Sequence, residues 1–345
     1  MSVQLHLRTH AWRDHLASVV ASTPGIVPVA KGNGYGFGLA RLASEARLLG
    51  VDTLAVGLAG EVSAARAGGW DGDIVVLTPW SASDPVATEL LSDDRVITTI
   101  GRVDDLAAVV RDHAGARVVL ERLTSMKRFG LVASDLHVVA PMLADVRLEG
   151  WTIHLPMVDP SGGREVRQLA ASCLDAASAP LWLSHVPADQ YAGLASEVGV
   201  PTRLRVGTKL WLGAPATRRT TARVLDIHPV RRGERVGYWQ RRVPADGWVV
   251  VMSGGTAQGV ALEAPTSAAS LRQRAVSVAT GSLEAMGLAL SPFELAGKKR
   301  FFIEPPHMQH SLVFLPGAAS VAIGDEVPIE LRLTTASVDR IVDEG

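Results

Sequence analysis

The sequence predicts an α/β chain, built as a (β/α)8 TIM-type barrel over residues 1–222 and a C-terminal, mainly antiparallel β domain over residues 223–345. Three observations predict it. Eight short β-rich runs alternate with amphipathic helical segments through the first two-thirds of the chain, and the alternation stops near Ala222. The 345 residues are 47% hydrophobic and 20% charged, enough apolar material for a large core and unlike a disordered or collagenous chain.

The eight runs are Ile26–Lys31, Thr53–Leu58, Asp73–Thr78, Arg95–Ile100, Arg117–Leu123, Leu148–Leu155, Leu181–Val186 and Thr202–Thr208. Between them lie segments such as Leu39–Leu49, Val103–His113, Leu136–Asp145 and Glu165–Ala177, whose apolar residues recur every three or four positions. Parallel neighbours need a crossover, and helical crossovers cover a sheet on both faces, so eight such units imply a closed barrel. From Ala222 onward the runs ARVLDIHPV, ERVGYWQRRV, WVVVM, RAVSVAT, KRFFI, SLVFL and VPIELRL are short strands joined by Pro/Gly-rich links.

Charge and composition narrow the function. Lys and Arg number 34 against 35 Asp and Glu, a net charge of −1 that argues against a nucleic-acid partner. The single cysteine, Cys173, excludes an internal disulfide framework and reads as a small buried hydrophobe. MSVQLHLRTH has no signal-peptide core and no run reaches about 18 apolar residues, so a cytoplasmic protein with no membrane partner is expected.

Barrel sites form at the C-terminal ends of the strands. Reading those ends gives Lys31 with Asn33 and Tyr35, Glu121 and Arg128, His154, His185, and Arg205 with Gly207 and Thr208. A basic, polar set thus converges on one mouth. A lysine ending the apolar run IVPVA either snorkels outward or sits in the mouth, where desolvation lowers its pKa and makes it a nucleophile. His185 reads as structural.

These residues carry a resemblance. Val29–Gly38 (VAKGNGYGFG) resembles the cofactor-lysine motif of bacterial alanine racemases, fold-type III enzymes that hold pyridoxal 5'-phosphate (PLP) as a Schiff base. MKRFG at Met126–Gly130, GWTIHLP at Gly150–Pro156, RVGTKLWLGAP at Arg205–Pro215 and HMQ at His307–Gln309 extend it along nearly the whole chain. It implies that Lys31 is the Schiff-base lysine and one catalytic base, that Tyr35, Gly207 and Thr208 bind the cofactor phosphate, and that Arg205 donates to the pyridine nitrogen. His154 is similar to the histidine beside the ring. Arg128 is similar to the arginine that reaches the phenolic oxygen and the substrate carboxylate. Glu121 stands where many members carry a carbamylated lysine, as a fixed negative charge. The resemblance also implies a homodimer with shared active sites, in which Met308 and Thr256 of one chain approach Lys31 of the other.

The departures fall on the substrate half. Racemisation needs an acid/base on each face of the planar carbanion. The family's second base is a tyrosine in a G-Y-A-D-G segment, and Gly254–Gly259 (GGTAQG) puts Thr256 there. Of the three tyrosines, Tyr35 is assigned to phosphate, Tyr191 lies after strand seven, and Tyr238 matches a different family tyrosine. The usual Met-Asp pair becomes Met308-Gln309, and an asparagine-serine pair becomes Ala188-Asp189. His307 and His310 flank Met308 and are the candidates for a replacement acid/base. The expectation is a PLP-dependent amino-acid racemase acting at the α-carbon of a small amino acid or derivative. The alternatives are a decarboxylase or lyase of the same fold, against which Arg205 argues, and a catalytically degenerate PLP-binding protein. Barrel-only PLP-homeostasis proteins lack residues resembling 223–345.

Overall fold

The computed structural model describes residues 2–262 and 289–345. It contains two compact units: one of Arg13–Gly34 and Gly38–Gly213, and one of the described residues of Met1–Trp12, Tyr35–Phe37 and Ala214–Gly345.

After a first strand, β1 (Gln4–Arg8), and helix α1 (Thr9–Ala21), the chain lays down eight parallel strands. These are β2 (Ile26–Pro28), β3 (Thr53–Val56), β4 (Asp73–Val76), β5 (Val96–Ile100), β6 (Arg117–Arg122), β7 (Arg147–His154), β8 (Leu181–Ser184) and β9 (Thr202–Val206). Their order is β2-β9-β8-β7-β6-β5-β4-β3, and the ends of that sheet meet through a parallel bridge between Val29 and Ala55. Each strand lies inside one of the eight expected runs or within a residue of it, because runs rich in Val, Ile and Leu between turn residues fit a sheet buried on both faces.

Helices α2 (Leu39–Leu48), α3 (Val62–Ala67), α4 (Pro85–Glu89), α5 (Val103–Asp112), α6 (Leu136–Val139), α7 (Arg164–Ala176), α8 (Ala188–Glu197) and α9 (Thr208–Leu212) punctuate the strands. In α5, Leu106 and Val109 are buried, while Asp104 and Asp105 in the first turn and Arg111 in the last match the helix dipole. The helix expected over Leu136–Asp145 is α-helical only to Val139 and continues as 3-10 turns over Ala140–Asp145. Pro141 has no N–H for the i→i−4 ladder, which accounts for the change.

Inside the barrel, Val27, Val29, Ala55, Val75, Ile97, Val119 and Trp182 form one cluster. Side chains alternate along a strand, so Lys31, Glu121 and Ser184, two residues beyond Val29, Val119 and Trp182, continue that inward face toward the strand ends. Register carries the face sideways. Glu121 lies beside Thr152, His154 beside Ser184, and Ser184 beside Arg205. Cys173, on α7, is buried, and its thiol is pushed up to about 12 by that burial, which leaves it inert at neutral pH.

The second unit is mainly antiparallel. Its strands are β10 (Arg218–Val230), β11 (Arg235–Val236), β12 (Arg241–Arg242), β13 (Gly247–Ser253), β14 (Leu290–Leu295), β15 (Lys298–Phe301), β16 (His310–Pro316), β17 (Glu326–Pro328) and β18 (Arg340–Glu344). The main sheet runs β16-β13-β10-β1-β18, with β17 also on β10. Val3, Val224, Val250, Met252, Phe293 and Val313 belong to its core. The boundary expected at residue 222 falls inside β10, and β1 pairs antiparallel with β10 and parallel with β18. Leu5 and Leu7 are fully buried there. The expected strand RAVSVAT lies outside the described residues. Among the described residues, no helix is long and apolar enough to cross a membrane.

Candidate active site

The barrel mouth gathers the strand-end residues into one charged cluster. Lys31 leaves the barrel just after Val29 N–H donates to the Val206 carbonyl at 2.9 Å and Ala30 N–H to the Ala55 carbonyl at 2.8 Å, so its backbone is tied to both neighbouring strands. Its amine is held below the usual lysine value, first by desolvation and then by the Arg128 and Arg205 charges, with Glu61 opposing. The turn after it is clamped by Glu61. One carboxylate oxygen accepts Gly32 N–H at 2.7 Å, and the other accepts Gly57 N–H at 2.7 Å and Leu58 N–H at 3.1 Å. A Cβ on Gly57 would stand 3.0 Å from the Lys31 Cβ, so any larger residue here crowds the lysine stem. Tyr35 follows in the turn Gly34–Gly36, buried and with φ 55.

Arg205, on β9, is 7% exposed. One terminal nitrogen donates weakly to the Ile153 carbonyl at 3.4 Å, while its buried Nε has no hydrogen-bond partner among the described residues. Burial lowers its pKa to about 10 against the opposing pull of Glu121. Glu121 is 2% exposed, and its Oε1 lies 3.6 Å from an Arg128 terminal nitrogen. Desolvation raises the Glu121 pKa above the usual carboxylate value in spite of both guanidinium groups.

The Arg128 loop is positioned from outside. Ser125 donates its N–H to Glu165 at 2.5 Å and its hydroxyl at 2.8 Å, and Thr124 donates to the His154 carbonyl at 2.9 Å. His154 is held neutral, its pKa lowered to about 3 by burial and then by Arg205 and Arg128. Its ring lies 5.0 Å from that of His185, tilted 53°. His185 has φ 61, a left-handed backbone uncommon for histidine, and its pKa is lowered by the same causes. The structure therefore places His185 among the charged residues of the mouth. Past Arg205, Gly207 precedes α9, whose first N–H groups at Thr208 and Lys209 have no preceding helical carbonyl.

The β unit brings its own candidates together. Thr256 N–H donates to the His307 carbonyl, Ala257 N–H to the Met308 carbonyl and Gly254 N–H to the Gln309 carbonyl, each at 2.9 Å. A Cβ on Gly255 would stand 2.1 Å from the His307 carbonyl oxygen, which explains the glycine at this crossing. Met308 is 74% exposed. His310 opens β16 and is also exposed. Glu61, Glu165 and Glu304, the carboxylate bonded to His307, are not visible as site residues in the sequence. The only sequence signal was the three-residue spacing of Glu304 and His307.

Comparison with known proteins agrees with this architecture. The family model described as "Alanine racemase, N-terminal domain" matches residues 8–196, more than half of the chain. A curated alanine racemase of Nitratidesulfovibrio vulgaris is 26% identical over 284 residues, covering 74% of this chain and 75% of that protein. An alanine racemase structure from Clostridium difficile 630 superposes with a TM-score of 0.73 at 15% identity, covering 99% of this chain and 96% of that one. The structure of the Bartonella henselae alanine racemase with covalently bound pyridoxal phosphate gives 0.67 at 16% identity, covering 96% and 90%. With eight parallel barrel strands, a separate antiparallel unit and this match, the chain belongs to the alanine racemase family.

Proposed function

We propose that this chain is a PLP-dependent amino-acid racemase acting at the α-carbon of a small amino acid or derivative. The observation that carries the reading is the buried Nε of Arg205, without a hydrogen-bond partner among the described residues, in the mouth that Lys31 also enters. A buried donor of this kind, at a barrel mouth, is suited to an acceptor brought by a bound molecule. A pyridine nitrogen supplies one, and the PLP bound covalently in the Bartonella henselae relative supports that choice.

PLP, when bound, supplies an aldehyde carbon for an amine and a ring that takes up charge developing at the α-carbon. Lys31 is the amine, and its lowered pKa leaves more of it neutral and nucleophilic near pH 7 than an exposed lysine would be. Arg205 would donate to the ring nitrogen and, being unable to accept its proton, would leave that nitrogen unprotonated and the ring a weaker electron sink than one facing a carboxylate. Arg128 supplies the cation for the substrate carboxylate and the phenolic oxygen. Tyr35, with the backbone of Gly207 and Thr208, holds the phosphate. His154 would stand beside the ring as a neutral imidazole, adding no further positive charge.

Lys31 moves the proton on one face. On the other, the Thr256 hydroxyl is far too weak an acid to stand in for a phenol, and His307 or His310 takes the role, with Met308 beside the substrate. Two chains share their sites in a homodimer, each lending Thr256 and Met308 to the Lys31 of the other. Light scattering at micromolar concentration is expected to give twice the chain mass. Full activity in a monomer would remove the shared site.

Deuterated solvent tests the racemase reading. One accepted amino acid is followed for α-deuterium incorporation and for inversion, in wild type, His307→Ala and His310→Ala. Inversion is expected to fall about 10²-fold in the variant that removes the second-face group, with incorporation at the Lys31 face persisting. Rapid inversion indifferent to both changes would mean that neither histidine is the acid/base. Thr256 sustains a second reading, a decarboxylase or lyase that protonates from one face only. Carbon dioxide or fragment release in place of inversion would establish it.

A further inference from the structure

The β unit holds a carboxylate–imidazole pair that the family resemblance does not explain. Glu304 is 1% exposed, and its Oε1 stands 2.7 Å from Nε2 of His307. Its Oε2 accepts the backbone N–H of Trp239 at 3.3 Å. Gly237, at φ 75, closes over the same carboxylate so tightly that a Cβ there would lie 2.3 Å from Oε2. The Tyr238 ring packs on the imidazole, centroids 4.7 Å apart and planes tilted 41°. A carboxylate this deeply buried is costly unless paired, and here the pairing is with an imidazole whose own side chain remains partly open. His307 also sits at the crossing of the two segments that carry Thr256 and Met308.

We propose that Glu304 is the positioning residue that sets His307 up as the second-face acid/base, an inference that rests on the racemase reading above. An ionised carboxylate only accepts hydrogen bonds, so Nε2 carries the ring proton and Nδ1 is the basic nitrogen. When Nδ1 takes the α-proton, the electron pair of the broken C–H bond stays with the carbon, and the Glu304 carboxylate stabilises the imidazolium. Protonated Lys31 then delivers a proton on the opposite face, which inverts the centre, and in the reverse direction Lys31 takes the α-proton while Nδ1 gives its proton to the carbon and the ring returns to neutral. Among the described residues, the titratable groups facing His307 are Glu304 and Tyr238, and its backbone N–H is occupied by the His310 carbonyl. Thr256 lies on the adjoining turn, so the imidazole enters from a neighbouring segment and Thr256 itself needs no acid.

Nitrogen-edited proton NMR of the full-length protein reads the pair directly, without substrate. In wild type, His307 is expected to show a downfield, solvent-protected proton on Nε2, and Glu304→Gln is expected to lose it because a neutral amide is a weaker acceptor. The ratio of inversion to α-deuterium exchange is expected to fall roughly tenfold in Glu304→Gln, with the Glu304→Gln/His307→Gln double variant no lower than His307→Gln alone. A proton on Nδ1 in wild type, an unchanged Nε2 proton in Glu304→Gln, or an unchanged ratio would overturn the proposal. Should Glu304→Gln not fold, Glu304→Asp, which withdraws the carboxylate by one methylene, is expected to weaken the Nε2 proton and lower the ratio, and wild-type values for both would overturn it. If wild type exchanges no amino-acid α-proton at all, the racemase reading falls, while the NMR signal still decides whether the pair is built.

Discussion

Lys31→Ala is expected to leave no PLP attached to the chain after borohydride reduction and to lower turnover at least about 10⁴-fold, since it removes both the attachment point and one acid/base. Lys127→Ala, in the loop that carries Arg128, is expected to retain the adduct. The adduct is read by absorbance after denaturation and desalting, with circular dichroism to show that the variant folds. An unchanged borohydride-fixed adduct in Lys31→Ala would show the lysine assignment to be wrong. The pH dependence has a definite sign. Because burial, Arg128 and Arg205 all lower the Lys31 pKa, trapping rises with pH through a midpoint below the 10.5 of an ordinary lysine, and Arg128→Gln moves that midpoint upward.

Substitutions at Glu121 should separate stability from function. Glu121→Lys places a third cation beside Arg128 and buried Arg205 and is expected to cost at least about 3–5 kcal/mol, read from the shift in urea midpoint. Bicarbonate is expected to recover much of that loss by carbamylating the new amine and restoring a negative charge. No recovery would mean that the pocket does not accept a carbamate.

Glu121→Gln should behave differently. The raised Glu121 pKa means that the folded state binds its proton more tightly than the unfolded chain does. The stability that this proton provides is therefore complete below the unfolded value near 4.5 and is lost as pH rises through the folded one. A neutral, isosteric glutamine avoids that loss. Glu121→Gln is thus expected to match or exceed wild type in stability at pH 7, with the gap closing below pH 4.5, while losing the charge that orients Arg128. A Glu121→Gln protein less stable than wild type at every pH would contradict this account.

Much of the barrel was legible because its strands are short apolar runs between turn residues, and their inward faces extend to polar ends at Lys31, Glu121, His154 and Arg205. The part that was not legible depends on long-range pairing. The polar–apolar alternation of β1 is only five residues long, and nothing local shows that its neighbours are β10 and β18. The site followed the same division. Residues at strand ends could be read from position, whereas Glu61 and Glu165 act by collecting backbone N–H groups from loops 29 and 40 positions away. His185 reads as structural from the sequence, and the fold brings its ring to 5.0 Å from that of His154.

The placement of β1 also orders events in time. Its register with β18 joins Gln4 to Arg340 and Arg8 to Glu344, so one edge of β1 waits for residues made 336 positions later. At typical elongation rates that delay is on the order of tens of seconds. The barrel strands end at Val206 and can all be paired while β18 is still unsynthesised. Loop-closure entropy grows only slowly with chain length, so the order of synthesis sets this delay. Until then the nascent protein presents an unpaired β edge flanked by the apolar side chains of Leu5 and Leu7, and this interval is when edge-to-edge association with other chains is most favoured.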